Sequence, residues 1–216
     1  IRLQEDADDA DAHQMRAAAL FGLNRSAEGL ACLQAAAKLA PEDGSLRLHI
    51  GRVCAAMGQL QPALAAYRSA HALSAPEASG ELAMLLKTVE EYDEAEDCLR
   101  AALLRSARPA RDRHRLAGVL FEQGRVTEAI AELRASLALE PDAPGVHSDL
   151  LRALNYADAL DPDAIFQEHR AWARRHADPL VEAMSRPSND VSPDRRLRVG
   201  YVSPYFRKHA VTFFLE

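Results

Sequence analysis

A repeat of small and large residues runs through most of this 216-residue chain and limits the folds that it can adopt. In each copy a small residue is followed four positions later by a large apolar one, and three positions further on by a second small residue. The copies begin 34, 32 and 34 residues apart, at Gly29, Ala63, Ala95 and Ala129. The large residues are Leu33, Tyr67, Leu99 and Leu133, and the second small residues are Ala36, Ala70, Ala102 and Ser136. A further small residue precedes each copy by twelve positions, at Ala17, Gly51, Ala83 and Ala117.

This pattern predicts pairs of packed helices. A small side chain at a crossing lets two helix axes approach closely, and a large residue one turn away fills the groove between them. Pro41 and Pro141 follow the first and last of the predicted second helices, where a proline stops the helix. The period and the pattern resemble the tetratricopeptide repeat, with four units and the first helix of a fifth at Pro144–Leu154. The third unit is two residues short and has Ala107 in place of the proline.

The resemblance implies a superhelix of stacked hairpins, because one hairpin cannot bury its apolar face alone. The first helix of each unit would line an inner groove, where such proteins bind extended peptides. The residues expected to face that groove are Met15, His49, Glu81, Arg115 and Asp149. None is an asparagine, so we do not expect a row of asparagine side chains to hydrogen-bond a peptide backbone along the groove. Two interpretations stay open, a peptide-binding groove and a set of solvated polar positions.

Composition excludes several classes of protein. The formal net charge of −6 disfavours a general nucleic-acid binder, which needs a basic face. No apolar run is long enough to span a membrane, and residues 1–11 are acidic, unlike a secretory signal. Cys32, Cys54 and Cys98 lack metal-ligand spacing, so we expect free thiols in a reducing, cytoplasmic compartment. The acidic triplets in residues 6–11 are interpreted as a helix entry and not as a metal site.

The repeat pattern fails after Leu154, and a connector is predicted over residues 156–193. Asp161 is expected to cap a helix and Pro162 to occupy its first turn. Apolar or aromatic residues at helical spacing mark one face of that helix, which we expect to pack between the repeats and the next domain. They are Ile165, Phe166, His169, Trp172 and Ala173. The predicted domains are therefore a solenoid over 1–155, the connector over 156–193 and the start of a third domain over 194–216.

The last residues have the character of a strand, a loop and a helix. Leu197, Val199 and Tyr201 alternate along Arg195–Ser203, Pro204 ends the strand, and an apolar segment begins at Ala210. Open α/β domains begin in this way, and their ligands bind beyond the carboxyl ends of the strands. His209 lies in the predicted loop, just before the helix.

The stretch Leu197–His209 resembles the opening strand and loop of the O-linked N-acetylglucosamine transferases, particularly their bacterial homologues. His147–Leu180 is similar to the bridge between the repeats and the catalytic region in that family, and the order of elements is the same. The resemblance implies a mainly α chain: a tetratricopeptide superhelix, then the first strand, loop and helix of a Rossmann-like domain of the GT-B arrangement. It implies an inverting enzyme that moves N-acetylglucosamine from UDP-N-acetylglucosamine to Ser or Thr of intracellular proteins, without a metal or another cofactor. The chain would hold only the beginning of its catalytic region.

The same resemblance assigns roles to three residues. His209 matches the family's loop histidine and would act as a general base on the acceptor hydroxyl. Pro204 and Tyr205 are assigned to substrate binding. The family usually has an acidic residue where Tyr205 stands, so a partner that orients His209 would come from elsewhere. The expected partners are a protein acceptor in the repeat groove and a UDP-sugar, with no nucleic acid and no membrane. The alternative is a tetratricopeptide scaffold that binds a partner peptide without catalysis.

Overall fold

The structure is a computed structural model that describes residues 9–75, 77–157, 161–182, 184, 192 and 196. The chain divides into two compact units, Ile1–Pro179 and Leu180–Glu216. The first unit holds all the repeats. In the second, the described apolar side chains Leu180, Val181 and Met184 are exposed.

The described part of the chain contains helices and turns, without a strand. The helices of the four complete hairpins are α1 Ala10–Gly22, α2 Ser26–Leu39, α3 Gly44–Ala56, α4 Leu60–Ala72, α5 Ala78–Thr88, α6 Tyr92–Leu103, α7 Pro109–Glu122 and α8 Val126–Leu139. They are followed by α9 Pro144–Leu154, α10 Pro162–Trp172, a π-helical segment Ala173–Ala177 and α11 Asp178–Glu182. The predicted helix of a fifth repeat at Pro144–Leu154 is confirmed.

Each pair of helices packs as a hairpin, and each hairpin packs on the next one. The small residues of the repeat lie at the crossings, as the spacing predicts, and Ala17, Ala63, Ala83 and Ala95 have no exposed surface. The large residue of each second helix is buried beside them; Tyr67, for example, is 4% exposed. The core is therefore a continuous row of crossings and not one central cluster.

The turns inside the hairpins repeat as regularly as the core. One residue of each turn has a left-handed backbone, at Asn24, Gly58, Glu90 and Gly124, with φ of 58°, 73°, 64° and 77°. The residue after it donates its backbone N–H to a carbonyl in the last turn of the first helix, as Arg25 does to Leu20 at 2.9 Å. This geometry satisfies carbonyls that the helix end leaves unpaired. It favours glycine, which occupies two of the four positions.

The short third repeat begins its first helix late. Ala17 and Gly51 lie seven residues after the first residue of α1 and of α3, whereas Ala83 lies only five residues after the first residue of α5. The missing residues therefore come from the start of α5, and the crossings keep their places. The late start leaves space beside the last turn of α6, and Ala102 is only half-buried where Ala36 and Ala70 are fully buried.

Polar caps mark several helix starts. The Asp9 carboxylate accepts a hydrogen bond from the Asp11 amide at 2.9 Å, so the interpretation of Asp9–Asp11 as a helix entry is confirmed. Asp161 caps α10 in the same way through the Asp163 amide at 3.1 Å, and Pro162 is the first residue of that helix. Both features of α10 were predicted.

The apolar face predicted for α10 is only partly correct. Ile165 and Trp172 pack against the core, and the Trp172 indole N–H donates to the Pro144 carbonyl at 3.4 Å. Phe166 is 54% exposed and His169 is exposed as well, so the prediction that they pack was wrong. Ile165 and Trp172 are seven positions apart and share one narrow stripe, whereas Phe166 is turned by a further ~100° around the helix.

The predicted start of a Rossmann-like domain, with its strand over 195–203 and its helix from Ala210, lies outside the described residues. Within the described ranges, no helix has the length and apolar character needed to cross a bilayer.

Candidate peptide-binding surface

The three residues assigned to chemistry from the sequence, Pro204, Tyr205 and His209, lie outside the described residues. Their roles stay predictions. Among the residues that the structure does describe, no cluster of three or more His, Cys, Asp or Glu side chains could hold a metal ion. The candidate site is therefore built from the repeats.

The five residues expected in the groove all lie on first helices, and the structure links several of them to the neighbouring unit. Met15 is 69% exposed on α1 and His49 is exposed on α3. Glu81, Arg115 and Asp149 are half-buried on α5, α7 and α9. We call these five residues the inner row.

Ion pairs join α3, α5 and α7 along the inner row. One Nη atom of Arg52 lies 2.9 Å from Glu77 and 3.4 Å from Glu81. Arg115 lies 3.7 Å from Glu81 on its other side, and Arg111 lies 3.2 Å from Glu77. Charges of opposite sign therefore alternate from one first helix to the next, which favours one arrangement of the stacked units.

A second set of contacts joins α7 to α9. The His114 ring nitrogen Nε2 lies 2.7 Å from the Asp149 carboxylate, which also accepts a hydrogen bond from Arg152 at 3.3 Å. The Arg152 guanidinium lies 4.4 Å from the centre of the Phe121 ring, within the range of a cation–π contact. The Phe121 ring also lies perpendicular to the ring of Tyr156, which is 64% exposed, with their centres 5.3 Å apart.

The inner row is therefore polar, charged and largely paired between units. It is not a row of independent solvated side chains. Apolar surface accompanies the charges, since Met15 and Met84 are exposed on α1 and α5. The flexible side chain of methionine can pack against partners of different shape. A charged side chain of the row can exchange its ion-pair partner for a charge of opposite sign on a bound segment.

Two groups on this surface have shifted pKa values. The hydrogen bond from Arg52, supported by the charge of Arg111, lowers the pKa of the Glu77 carboxyl, so Glu77 stays ionised. Partial burial of the His49 imidazole, helped by the positive charge of Arg52, lowers the pKa of that ring. The ring of His49 contacts Phe21 with their centres 5.9 Å apart, which covers one side of it.

A buried carboxylate that the sequence pattern does not predict lies at the start of α7. Asp112 is 6% exposed, and its Oδ2 accepts a hydrogen bond of 2.6 Å from the Ser106 hydroxyl. Its Oδ1 lies 3.7 Å from Arg115 and 3.9 Å from Arg111, without a hydrogen bond from any described residue. The repeat pattern contains no signal for this site, because Asp112 falls between the positions that carry the pattern.

The arginine that completes this cluster lies against a glycine in the facing helix. A side-chain carbon on Gly80 would overlap the present position of the Arg115 guanidinium, the end of a flexible side chain. The bare backbone of α5 therefore allows the guanidinium to approach it closely.

A cleft of about 280 Å³ lies beside this cluster, between the turn that joins α4 to α5 and the turn that joins α6 to α7. It occupies the space left by the late start of α5. Its charged lining residues are Glu77, Arg105, Arg108 and Arg111. We call it the turn cleft.

A third polar cluster connects α9 to the helices that follow it. His147 is 7% exposed, and its ring nitrogens lie 3.3 Å from His176 and 3.2 Å from Glu168. His176 also contacts Trp172. These contacts hold α10 and the π-helical segment against the end of the repeats, which gives His147 a structural role.

Comparison with known proteins supports the repeat fold and gives a local match to glycosyltransferases. No model of a known protein family matches the chain. A stretch of 80 residues is 36% identical to a probable UDP-N-acetylglucosamine–peptide N-acetylglucosaminyltransferase SPINDLY of Oryza sativa subsp. japonica. The protein of the same name from Arabidopsis thaliana is 32% identical over 78 residues. These matches cover 37% and 36% of the chain, and they span about 8% of the length of either relative.

Solved structures resemble this chain over most of its length. MamA superposes with a TM-score of 0.73 at 13% identity, covering 82% of this chain and 97% of that one. The MamA fragment of Desulfovibrio magneticus RS-1 gives 0.68 at 17% identity, with 76% and 93% covered. YrrB, described as a tetratricopeptide protein with an unusual peptide-binding site, gives 0.68 at 16% identity, with 84% and 94% covered. At these identities the likeness shows the fold alone: the described chain has a tetratricopeptide-repeat fold.

Proposed function

We propose that this chain is a tetratricopeptide scaffold that binds an extended segment of a partner protein along the inner row. The observation that carries the proposal is the alternation of positive and negative side chains on successive first helices, from Arg52 through Glu81 and Arg115 to Asp149. Binding of a peptide by YrrB, which has the same fold, supports this function. The partner would offer both acidic and basic side chains, because the inner row holds both signs.

The test uses a peptide selected for binding to the 216-residue chain and measures its affinity by calorimetry. Glu81→Gln and Arg115→Gln each remove one charge from the inner row and should weaken binding by about fivefold or more. Arg134→Gln is the matched control, because Arg134 is exposed on the second helix α8. Equal weakening by the control and the inner-row variants would contradict binding at this surface.

A second function is proposed for the longer protein to which such a scaffold would belong. There the inner row would present Ser or Thr of a protein acceptor to a transferase of the GT-B arrangement that uses UDP-N-acetylglucosamine. The local match to the SPINDLY proteins and the resemblance of Leu197–His209 support this proposal. His209 would be the general base, Pro204 and Tyr205 would contact the substrate, and no metal would be required. The enzyme would act in the cytoplasm.

The transferase proposal is tested on the natural protein that contains this chain. Calorimetric titration with UDP-N-acetylglucosamine and with UDP should give saturable binding of both. His209→Ala should then lower turnover far more than it lowers affinity for the nucleotide. A folded sample that binds neither compound would leave only the scaffold, and unchanged turnover in His209→Ala would remove the general-base role.

A further inference from the structure

From the geometry of the turn cleft we infer that it is a binding site for the phosphate group of a phosphorylated Ser or Thr residue. The inference extends the proposed function. It rests on that function in one respect, because the phosphate is taken to belong to a segment of the bound partner protein. The walls of the cleft are mainly the turns between repeats, and it shares the Glu77–Arg111 ion pair with the contacts that run along the inner row.

The charge of the turn cleft opposes the charge of the chain. Three arginines and one glutamate line it, so its formal charge is +2, whereas the whole chain carries −6. An acidic protein gains nothing in solubility from one concentrated basic cleft. A site for an anion explains the concentration of arginines there.

The glutamate does not cancel the arginines at the cleft. Glu77 is already paired with Arg52 at 2.9 Å and with Arg111 at 3.2 Å. Arg108 approaches it only to 3.9 Å and is 66% exposed. Arg105 has no ion pair with any residue that the structure describes, although it lines the same cleft. Two guanidinium groups are therefore available for a ligand.

The donors of the cleft match a phosphate better than a carboxylate. A phosphomonoester carries a charge of about −1.5 to −2 and three acceptor oxygens. That charge balances the +2 of the cleft, whereas one carboxylate would leave about half of it unbalanced. Ser74, Ser79 and Ser106 also line the cleft. The Ser79 hydroxyl lies 2.8 Å from the His71 ring and the Ser106 hydroxyl donates to Asp112 at 2.6 Å, so the arginines are the charged donors of the cleft.

The cleft has room for a small group. Its volume of about 280 Å³ accommodates one phosphorylated side chain. The open side of the cleft leaves the rest of a partner segment free to continue over the surface.

Arginine signals provide a direct test. The full 216-residue chain, labelled with ¹⁵N, is titrated with capped phosphoserine (the N-acetyl amide), and the side-chain Nε–H resonances are followed by NMR. We expect saturable shifts for Arg105 and Arg108. Arg108→Gln should weaken the affinity by about fivefold, as the loss of one partly exposed charge contact implies. Arg134→Gln on α8 is the matched control and should leave the affinity unchanged.

Three further probes separate the alternatives. Capped aspartate should bind at least about fivefold more weakly than capped phosphoserine, and capped serine should not bind. Inorganic phosphate should shift the same arginine resonances. Binding of inorganic phosphate without binding of capped phosphoserine would overturn the inference in favour of a free-ion site. Equal affinity for capped aspartate, or equal weakening by Arg134→Gln, would also overturn it.

The same variants separate this inference from the proposed function. Glu81→Gln, on the inner row, should weaken binding of an unphosphorylated selected peptide and leave capped phosphoserine binding intact. Failure of the peptide with success of capped phosphoserine would contradict only the proposed scaffold function. Success of the peptide with failure of capped phosphoserine would contradict only the turn cleft. Circular dichroism confirms that each variant is folded before it is titrated.

Discussion

The ring of Tyr67 on α4 lies against the bare backbone of Gly51 on α3, in the space that a side-chain carbon at Gly51 would occupy. The two helices thus approach closely at the crossing that the repeat pattern predicts. Tyr67 is 4% exposed and has core residues around it, so its ring has little room to move away.

Gly51→Ala should destabilise the chain. The added methyl group would force the buried ring of Tyr67 aside, and overpacking of this kind costs about 1–3 kcal/mol, against a gain of about 1 kcal/mol in helix propensity. We expect the free energy of unfolding to fall by up to about 2 kcal/mol, as measured by urea denaturation.

Gly118→Ala is the matched control, since Gly118 also lies inside a first helix. A side-chain carbon there would meet only the flexible end of Lys87, at 3.3 Å. This variant should be neutral or more stable by up to about 1 kcal/mol. If both variants lost stability equally, close packing at the Gly51 crossing would not be the cause.

Glu90→Gly should stabilise the third hairpin. Glu90 is exposed and has a φ of 64°, a conformation that costs a residue with a side chain about 1–2 kcal/mol. Glycine removes this cost and adds some entropy to the unfolded chain, so the expected net gain is about 0.5–1 kcal/mol. Thermal denaturation of Glu90→Gly should show a higher Tm, and the reverse change Gly124→Ala, at φ 77°, should lower it. A lower Tm for Glu90→Gly would disprove the assignment of strain.

Cys98 should be chemically inert in the folded chain. Burial raises the pKa of its thiol to about 11, and the negative charges of Glu94 and Asp97 add to the shift. At pH 8 only about one thiol in a thousand would be the reactive thiolate. Reaction with an aromatic disulfide, followed by mass mapping, should therefore label Cys98 far more slowly in native than in urea-unfolded protein. Equally fast labelling in both states would contradict the buried position.

Stability should fall as the solution is acidified through the range in which His49 titrates. Burial and Arg52 lower the pKa of His49 in the folded chain, so the unfolded state binds its proton at a higher pH than the folded state does. The contribution of neutral His49 is therefore present above the unfolded pKa of about 6.5 and is lost as the pH falls below it. His49→Gln should make the stability measured by urea denaturation less dependent on pH between about 5 and 7. An unchanged pH dependence would show that His49 does not contribute.

The repeat could be predicted from sequence because its residues act locally and at a constant spacing. Ala17, Ala63 and Ala117 are small for one reason, the close approach of two helices, and each unit repeats that reason. The caps of α1 and α10 were predictable for the same cause, since Asp9 and Asp161 bond to amides only two residues away. The exposure of Phe166 was not predictable in this way. The spacing of apolar residues along a helix does not show how wide a stripe of that helix the neighbouring repeat covers.

The candidate sites could be predicted from the sequence only in part. The inner row was located from the repeat, but its pairing was not, because Glu81 and Arg115 are 34 residues apart and meet only when units stack. The turn cleft was invisible in the sequence, where the short third repeat indicated only a local irregularity. His209 was singled out by resemblance alone, and its role stays a prediction.

The sequence by itself determined the helices, their pairing and the places where they cross, since these depend on side-chain size within one or two turns. Tertiary structure decided at which point the third repeat is two residues shorter and that a cleft lies there. Ala83 is fully buried at its crossing, so the third repeat is shorter at the start of α5 and not at the crossing. The turn cleft lies in the space beside that helix start, next to Arg105 and Arg108. The physical reason is that neighbouring units bury the crossings together, whereas helix ends are exposed to water. Shortening a helix end therefore costs less free energy than moving a crossing.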